Sequence, residues 1–295
     1  MARPIALRWT GKLRLKRIDD FKLFNVLFLV VLAVIMLLPI VYIVNQAFKP
    51  YEELFLYPPR FFVNQPSLDN FRELSHVTER ATVPLSRYLF NSILIAGASV
   101  FAVTAVSALC AYPIAKHKFP GHKFVLGTIV LTLMFAPEAV QIPRYLVVSG
   151  IGIMNTYFAH ILPLVAMPVG VFLLKQFMDQ IPDALLEAAR IDGANELTVF
   201  VRIAVPVCMP AVATVAILAF QSAWGNVESS TLFMLDESMK SFAFFLTTLT
   251  SGLGNNVSMQ GAAAVASLIL FVPNLVFFLI LQGKVIATMA HSGIK

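Results

Sequence analysis

The chain has 295 residues, of which 58% are hydrophobic and 13% charged, with a mean hydropathy of +0.80. Soluble domains carry about a quarter charged residues, so this composition excludes a soluble globular protein and indicates a polytopic membrane protein. The net charge of +6 sits beside apolar runs in the positive-inside manner rather than marking a nucleic-acid partner.

Residues 1–22 carry Arg3, Arg8, Lys12, Arg14, Lys16, Arg17 and Lys22 against Asp19 and Asp20, and read as a cytoplasmic arm. The run from Phe24 to about Val44 has the roughly 20 apolar residues that cross a bilayer. It lacks a small-x-small cleavage site, so it is expected to be the first membrane helix rather than a signal peptide. Residues 49–87 form a proline-rich external loop whose aromatics, such as Tyr51, Phe61 and Phe71, suit packing on the outer surface; a passive interfacial loop is the alternative. The second span, about Tyr88 to Ala115, is rich in Ala, Gly and Ser. Small residues let helices approach closely in lipid, which makes this span central in the bundle.

A basic turn, Lys116 to Lys123, returns the chain to the membrane. Its histidines, His117 and His122, flank a Pro120-Gly121 turn and do not suggest a metal site. The two cysteines, Cys110 and Cys208, have no CxxC spacing and indicate neither metal nor disulfide. The third span opens at Phe124 and meets Pro137 and Glu138 near its outer end, before Gln141, Arg144 and Tyr145. An ionisable group near membrane depth usually faces a bundle interior or a water-filled path. Glu138 is therefore a path candidate, with an interfacial position as the alternative.

The fourth span, about Thr156 to Phe177, is expected to kink at Pro163 and Pro168. A cytoplasmic segment, 178–205, leads to a fifth span from Pro206 to Trp224. The external loop 225–260 holds an apolar run, Phe242 to Leu249, too short to cross and expected to be re-entrant or interfacial. A flexible tip follows at Ser251, Gly252, Leu253, Gly254, Asn255 and Asn256. The sixth span runs from about Gly261 to Leu281, closing a membrane domain of residues 23–282, and 283–295 form a cytoplasmic tail. Of the 22 Lys and Arg, only Lys49, Arg60, Arg72, Arg80, Arg87, Arg144 and Lys240 fall outside. That asymmetry supports an all-α protein of six transmembrane helices with both termini cytoplasmic.

Within the cytoplasmic segment, Pro182 and Asp183 suit a helix start. Ala184 to Ile191 has strong helix propensity, and Gly193 is the expected stop. Asn195 is an N-cap for a second helix reaching Phe200 and Ile203. The adjacent alanines and the glycine make a low-relief face, with Glu187, Arg190 and Asp192 to orient a partner. Residue types alone leave a docking surface and a plain amphipathic surface helix both open.

The spacing goes further. Glu187-Ala188-Ala189, then Gly193, nine residues, Ile203 and Pro206 resembles the EAA loop of permease subunits of binding-protein-dependent ABC importers. Within that family the chain is similar to carbohydrate permeases related to the second maltose permease subunit. The resemblance implies a type I importer permease fold and a non-catalytic subunit. It implies contact of Glu187, Ala188, Ala189, Asp192 and Gly193 with an ATP-hydrolysing subunit. The implied partners are a second homologous permease, two ATP-binding cassette subunits that hold ATP and Mg, an extracytoplasmic solute-binding protein and an oligosaccharide, in the bacterial inner membrane. The loop Ser251 to Asn256 would reach into the binding protein. The tail, Met289 to Lys295, resembles those of permeases for plant or algal oligosaccharides, which points to an acidic, uronate-containing substrate of the alginate type.

No GxxxxGK[ST] stretch exists in the sequence, so ATP is expected in a partner. Polar and aromatic residues near the spans, Asn91, Gln141, Tyr145, Asn155, Gln221, Trp224, Asn226 and Glu228, are candidates with Glu138 for lining a sugar path. A secondary, ion-coupled transporter is the alternative; it calls for ionisable pairs or strongly broken spans at the midplane, where only Glu138 and Glu228 come near. An intramembrane enzyme finds no HExxH, GxSxG or paired-Asp motif.

Overall fold

The computed structural model describes residues 20–58, 60–79, 82–251 and 259–292. Among these, every regular element is a helix. Apart from short turns such as Tyr51–Leu54 and Pro137–Val140, they are in chain order α1 (Asp20–Phe48), α2 (Asp69–Glu79), α3 (Leu85–Lys116), α4 (His122–Thr132), α5 (Gln141–Gly150), α6 (Tyr157–Val165) and α7 (Pro168–Asp179). Then come α8 (Asp183–Ile191), α9 (Glu196–Val207), α10 (Met209–Trp224), α11 (Glu228–Phe233), α12 (Phe242–Ser251) and α13 (Met259–Ser292).

Helices α1, α3 and α13 are each long and apolar enough to cross a membrane alone. Counting each bent pair as one span brings the candidates to six: α4 with the segment Pro137–Gly150 at 109°, α6 with α7 at 43°, and α9 with α10 at 80°. Each break lies beside a proline. Ala136, before Pro137, is extended at φ −67° and ψ 138°, because the ring of a proline disfavours the helical region for the residue before it. Met167 before Pro168 (φ −107°, ψ 87°) is likewise non-helical. Cys208 stands at the third break, where α10 opens with Pro210 in its first turn.

Several boundaries differ from expectation. The helix that opens the third span stops at Thr132, and residues 141–150, expected at that span's outer end, form a separate helix after the break. Pro206, expected to open the fifth span, lies in α9, and α10 begins at Met209 after the break. The helix of the sixth span, α13, runs on to Ser292, so most of the expected tail continues it. The arm to residue 19, the tip 252–258 and residues 293–295 lie outside the described residues.

The small-residue helix α3 is central, packed against α10, α7 and α6. Its Ala96, Ser99, Ser107, Ala108 and Ala111 are buried. Close approach is needed at Gly170 of α7, where a Cβ would lie 2.9 Å from the Ser107 hydroxyl and 3.2 Å from Val215. A second cluster joins Ala47, Leu74, Tyr88, Phe242, Phe245 and Ala262. It seats α12 on α3 and α13 at the Leu85 end of the bundle. By contrast the apolar side chains of α1 from Leu23 to Leu38 are mostly exposed, the surface of a helix solvated by lipid or covered by another chain.

Candidate functional site

At the Lys116 end of the bundle, α8 and α9 form the expected helix, turn, helix. Asp183 occupies the first turn of α8, where its charge suits the positive end of the helix dipole. The helix ends in a Schellman arrangement: the Gly193 N–H donates to Arg190 O and the Ala194 N–H to Ala189 O, both at 3.0 Å. Gly193 sits at φ +84°, a left-handed conformation that glycine adopts without penalty. Asn195 then caps α9, its Oδ1 accepting the Thr198 N–H at 2.8 Å. The second arm widens to a π-type turn at Phe200–Ala204, in which the Val205 N–H donates to Phe200 O ahead of Pro206. Proline has no N–H and crowds a regular preceding turn, which accounts for the local widening.

The two faces of α8 are distinct. Leu186 is buried beneath it, together with Met178, Ile181, Val199 and Phe200, against Tyr112, Ala108 and Ala111 of α3. Ala184, Glu187, Ala188 and Ile191, spaced at three and four residues, are exposed along the other side with Asp192 and Gly193 next to them. Four of the five residues expected at a contact thus share an open surface. Ala189 does not: it is half-buried and packs against the inner cluster. Sequence reading missed Ile191, which is 86% exposed. Its position four residues after Glu187 is the signal that identifies it.

Charges tie this unit to α3. The Lys116 ammonium, whose side chain is 6% exposed, donates to Ile181 O at 2.6 Å and to Asp183 Oδ1 at 2.8 Å. That hydrogen bond holds the Asp183 carboxyl below the ordinary carboxylate range. Arg190 grips Glu196 side-on, Nε to Oε1 at 2.7 Å and Nη2 to Oε2 at 3.3 Å. Glu196 also accepts from the Tyr112 hydroxyl at 3.2 Å and lies 3.5 Å from His117 Nε2. Its carboxyl is lowered as well, first by the Arg190 bond.

The expected path residues separate into two groups. Asn91 is fully buried: its amide donates to Ser238 O and Lys240 O, and its Oδ1 accepts from the Tyr157 hydroxyl. Trp224 is buried too, donating to Leu270 O at 2.9 Å and stacking on Phe220. Asn155 and Asn226 instead accept backbone N–H groups at Oδ1, Asn155 from Leu235 and Asp236 and Asn226 from Ser229 in the first turn of α11. All four side chains fasten the subunit; Asn91 and Trp224 are closed to a solvent path within it, whereas Asn155 and Asn226 are half-buried. Glu138, Tyr145 and Gln221 are exposed and Gln141 is half-buried. Glu228 pairs with Arg144, whose Nη1 lies 3.0 and 3.2 Å from its two carboxylate oxygens. Arg144 also lines a groove of about 410 Å³ with Val140, Pro143, Val147, Leu162, Pro163 and Ala166. Of the expected binding-protein loop, Ser251 is the exposed last residue of α12, and Gly252, Leu253, Gly254, Asn255 and Asn256 lie outside the described residues. Among the described residues, no group of three or more His, Cys, Asp or Glu could hold a metal.

Residues 104–283 match a family model described as the inner membrane component of binding-protein-dependent transport systems. The melibiose/raffinose/stachyose import permease protein MelC of Bacillus subtilis (strain 168) is 30% identical over 233 residues, covering 78% of this chain and 83% of MelC. The polygalacturonan/rhamnogalacturonan transport system permease protein YtcP of the same organism is 28% identical, covering 82% of this chain and 85% of YtcP. In three dimensions the chain resembles a crystal structure of a bacterial ABC transporter involved in the import of the acidic polysaccharide alginate. That likeness has a TM-score of 0.78 at 19% identity and covers 90% of this chain and 96% of the other. The family model spans more than half of the sequence and the relatives match over most of their length; the chain belongs to the inner membrane components of binding-protein-dependent transport systems, as a non-catalytic, multi-pass permease.

Proposed function

We propose that the chain is one permease half of an ATP-driven oligosaccharide importer, and that α8 is the helix through which ATP hydrolysis is coupled to transport. The observation that carries this reading is the open Glu187, Ala188, Ile191 and Gly193 surface on a rigidly capped helix of a family member. In this reading the Lys116 end and both termini are cytoplasmic. A second permease completes the path, and two ATPase subunits, holding ATP and Mg, receive α8 and its counterpart. The loop at 251–256 reaches the binding protein that delivers substrate. Glu138, Gln141, Tyr145 and Gln221 remain the candidates for contact with sugar.

A secondary transporter would be expected to have broken spans, and three spans here are broken. That feature does not separate the two mechanisms; family membership favours the ATP-driven one. Uptake by proteoliposomes containing the full assembly should need ATP and survive collapse of the proton gradient. Proton-gradient dependence without ATP would reverse the assignment.

The substrate is proposed to be an acidic, uronate-containing oligosaccharide. Support comes from the tail sequence, from the polygalacturonan named for YtcP and from the alginate named for the structural relative. MelC is named for neutral sugars, so the test must compare both classes. Calorimetric titration of the partner binding protein should give tight binding of uronate oligomers and none of raffinose-type ones. Equal binding of both would remove the acidic assignment and leave the importer reading intact.

A further inference from the structure

The covalent routes from α8 into the bundle are both broken. On one side it joins α7 through a turn at Gln180–Pro182; on the other it reaches α10 through the Gly193 turn, the π-type turn and the 80° break at Cys208. A push on α8 is therefore poorly transmitted along either backbone connection. Side chains supply a third route. Tyr112 and Lys116 are four residues apart and so lie on one face of the last turns of α3. Lys116 holds the start of α8 through Ile181 O and Asp183, and Tyr112 with His117 holds Glu196, which grips Arg190 near the end of α8.

We infer that Lys116 and Glu196 are positioning residues that fasten both ends of the coupling helix to α3, making that central helix the receiver of its motion. An isolated exposed ion pair contributes little to stability. This arrangement differs in two respects. The Lys116 side chain is nearly enclosed and bonds a backbone carbonyl as well as Asp183, whose own side chain is open to solvent, so the ammonium is held in one place. The Arg190 contact is a two-bond fork whose geometry fixes direction as well as distance. The bonds join α8 to the helix that packs against α6, α7 and α10, so a displacement at Lys116 reaches most of the bundle.

The inference rests on α8 being the coupling helix, and the test keeps the two claims apart. The complete transporter carrying Lys116→Met with Glu196→Gln is reconstituted, and three quantities are read: cross-linking of Ala188→Cys to the ATPase, ATP hydrolysis, and sugar uptake. The expected result is intact cross-linking and hydrolysis, with ATP consumed per sugar raised at least about fivefold, the lower range of allosteric couplings. Lys116→Arg, which keeps a donor to Ile181 and Asp183, should hold the ratio within about twofold of the parent. An unchanged ratio in the double variant, with cross-linking intact, overturns the role of Lys116 and Glu196 and spares the coupling reading. Absent cross-linking in the parent transporter fails the coupling reading itself. Should the double variant not assemble, Glu196→Gln alone decides by the same ratio.

Discussion

Replacing Gly193 by valine is expected to cut sugar uptake by about tenfold or more while the chain still inserts in the membrane. Gly193 holds φ +84° at the end of α8, and a Cβ there meets no atom within 4 Å. The cost is thus one of backbone conformation rather than of crowding. A left-handed residue with a side chain costs roughly 1–2 kcal/mol, and a β-branched one is less tolerant still. Since about 1.4 kcal/mol is a tenfold change in an equilibrium, the Schellman turn that ends α8 at Gly193 and Ala194 would be weakened by about that factor. The span helices do not depend on that turn. Glu187→Lys acts on the same surface by charge and should give the same phenotype with the fold untouched, because Glu187 is exposed. Uptake and ATP hydrolysis measured together in proteoliposomes check both variants; parental uptake in both would count against a coupling role for α8.

Gly261→Ala should destabilise the opposite end of the bundle by about 2–4 kcal/mol, the sum of a few lost hydrogen bonds near 1 kcal/mol each and one unmet buried group. A Cβ at Gly261 would collide with Asn70 Oδ1. Asn70 is buried, and its amide is shared by the carbonyls of Gln46 and Ala47 in the last turn of α1 and of Lys49 just after it. Those are the groups that a helix terminus leaves without intrahelical partners. Either α13 withdraws from α2 or the amide leaves its acceptors. Adding Gly261→Ala to Asn70→Ala should therefore cost much less than Gly261→Ala alone, a non-additivity expected of residues in contact. Thermal unfolding of the four proteins in detergent measures it. Additive losses would show that the Asn70 contact is not the cause.

The membrane class, the six spans and the turn at Gly193 are legible because each rests on local chemistry: apolar run length, proline breaks and a glycine after a helical stretch. Asn195 belongs with them, since an N-cap acts over three residues. The break before helix α5 was not expected, because the apolar run from Phe124 reads as one continuous span up to Pro137; Pro143 falls in the first turn of α5, where proline is compatible with helix. Asn91 and Trp224 read as path residues because a polar or aromatic group in a span suggests ligand contact. Their partners, Ser238, Lys240 and Leu270, lie 46 to 149 residues away. The same distance conceals the Lys116 and Glu196 fasteners, whose contacts with Asp183 and Tyr112 cross 67 and 84 residues. Ile191 was within reach, lying on the exposed stripe of Glu187 and Ala188.

The coupling claim is tested most directly by single-cysteine cross-linking across the face of α8. With Cys110 and Cys208 replaced by alanine, cysteines are placed in turn at Glu187, Ala188 and Ile191 on the open side and at Leu186 beneath, and the transporter is assembled with its ATPase and binding protein. The account predicts cross-links to the ATPase from the three open positions and none from position 186. Open positions that fail to cross-link in an assembly still importing sugar would contradict it.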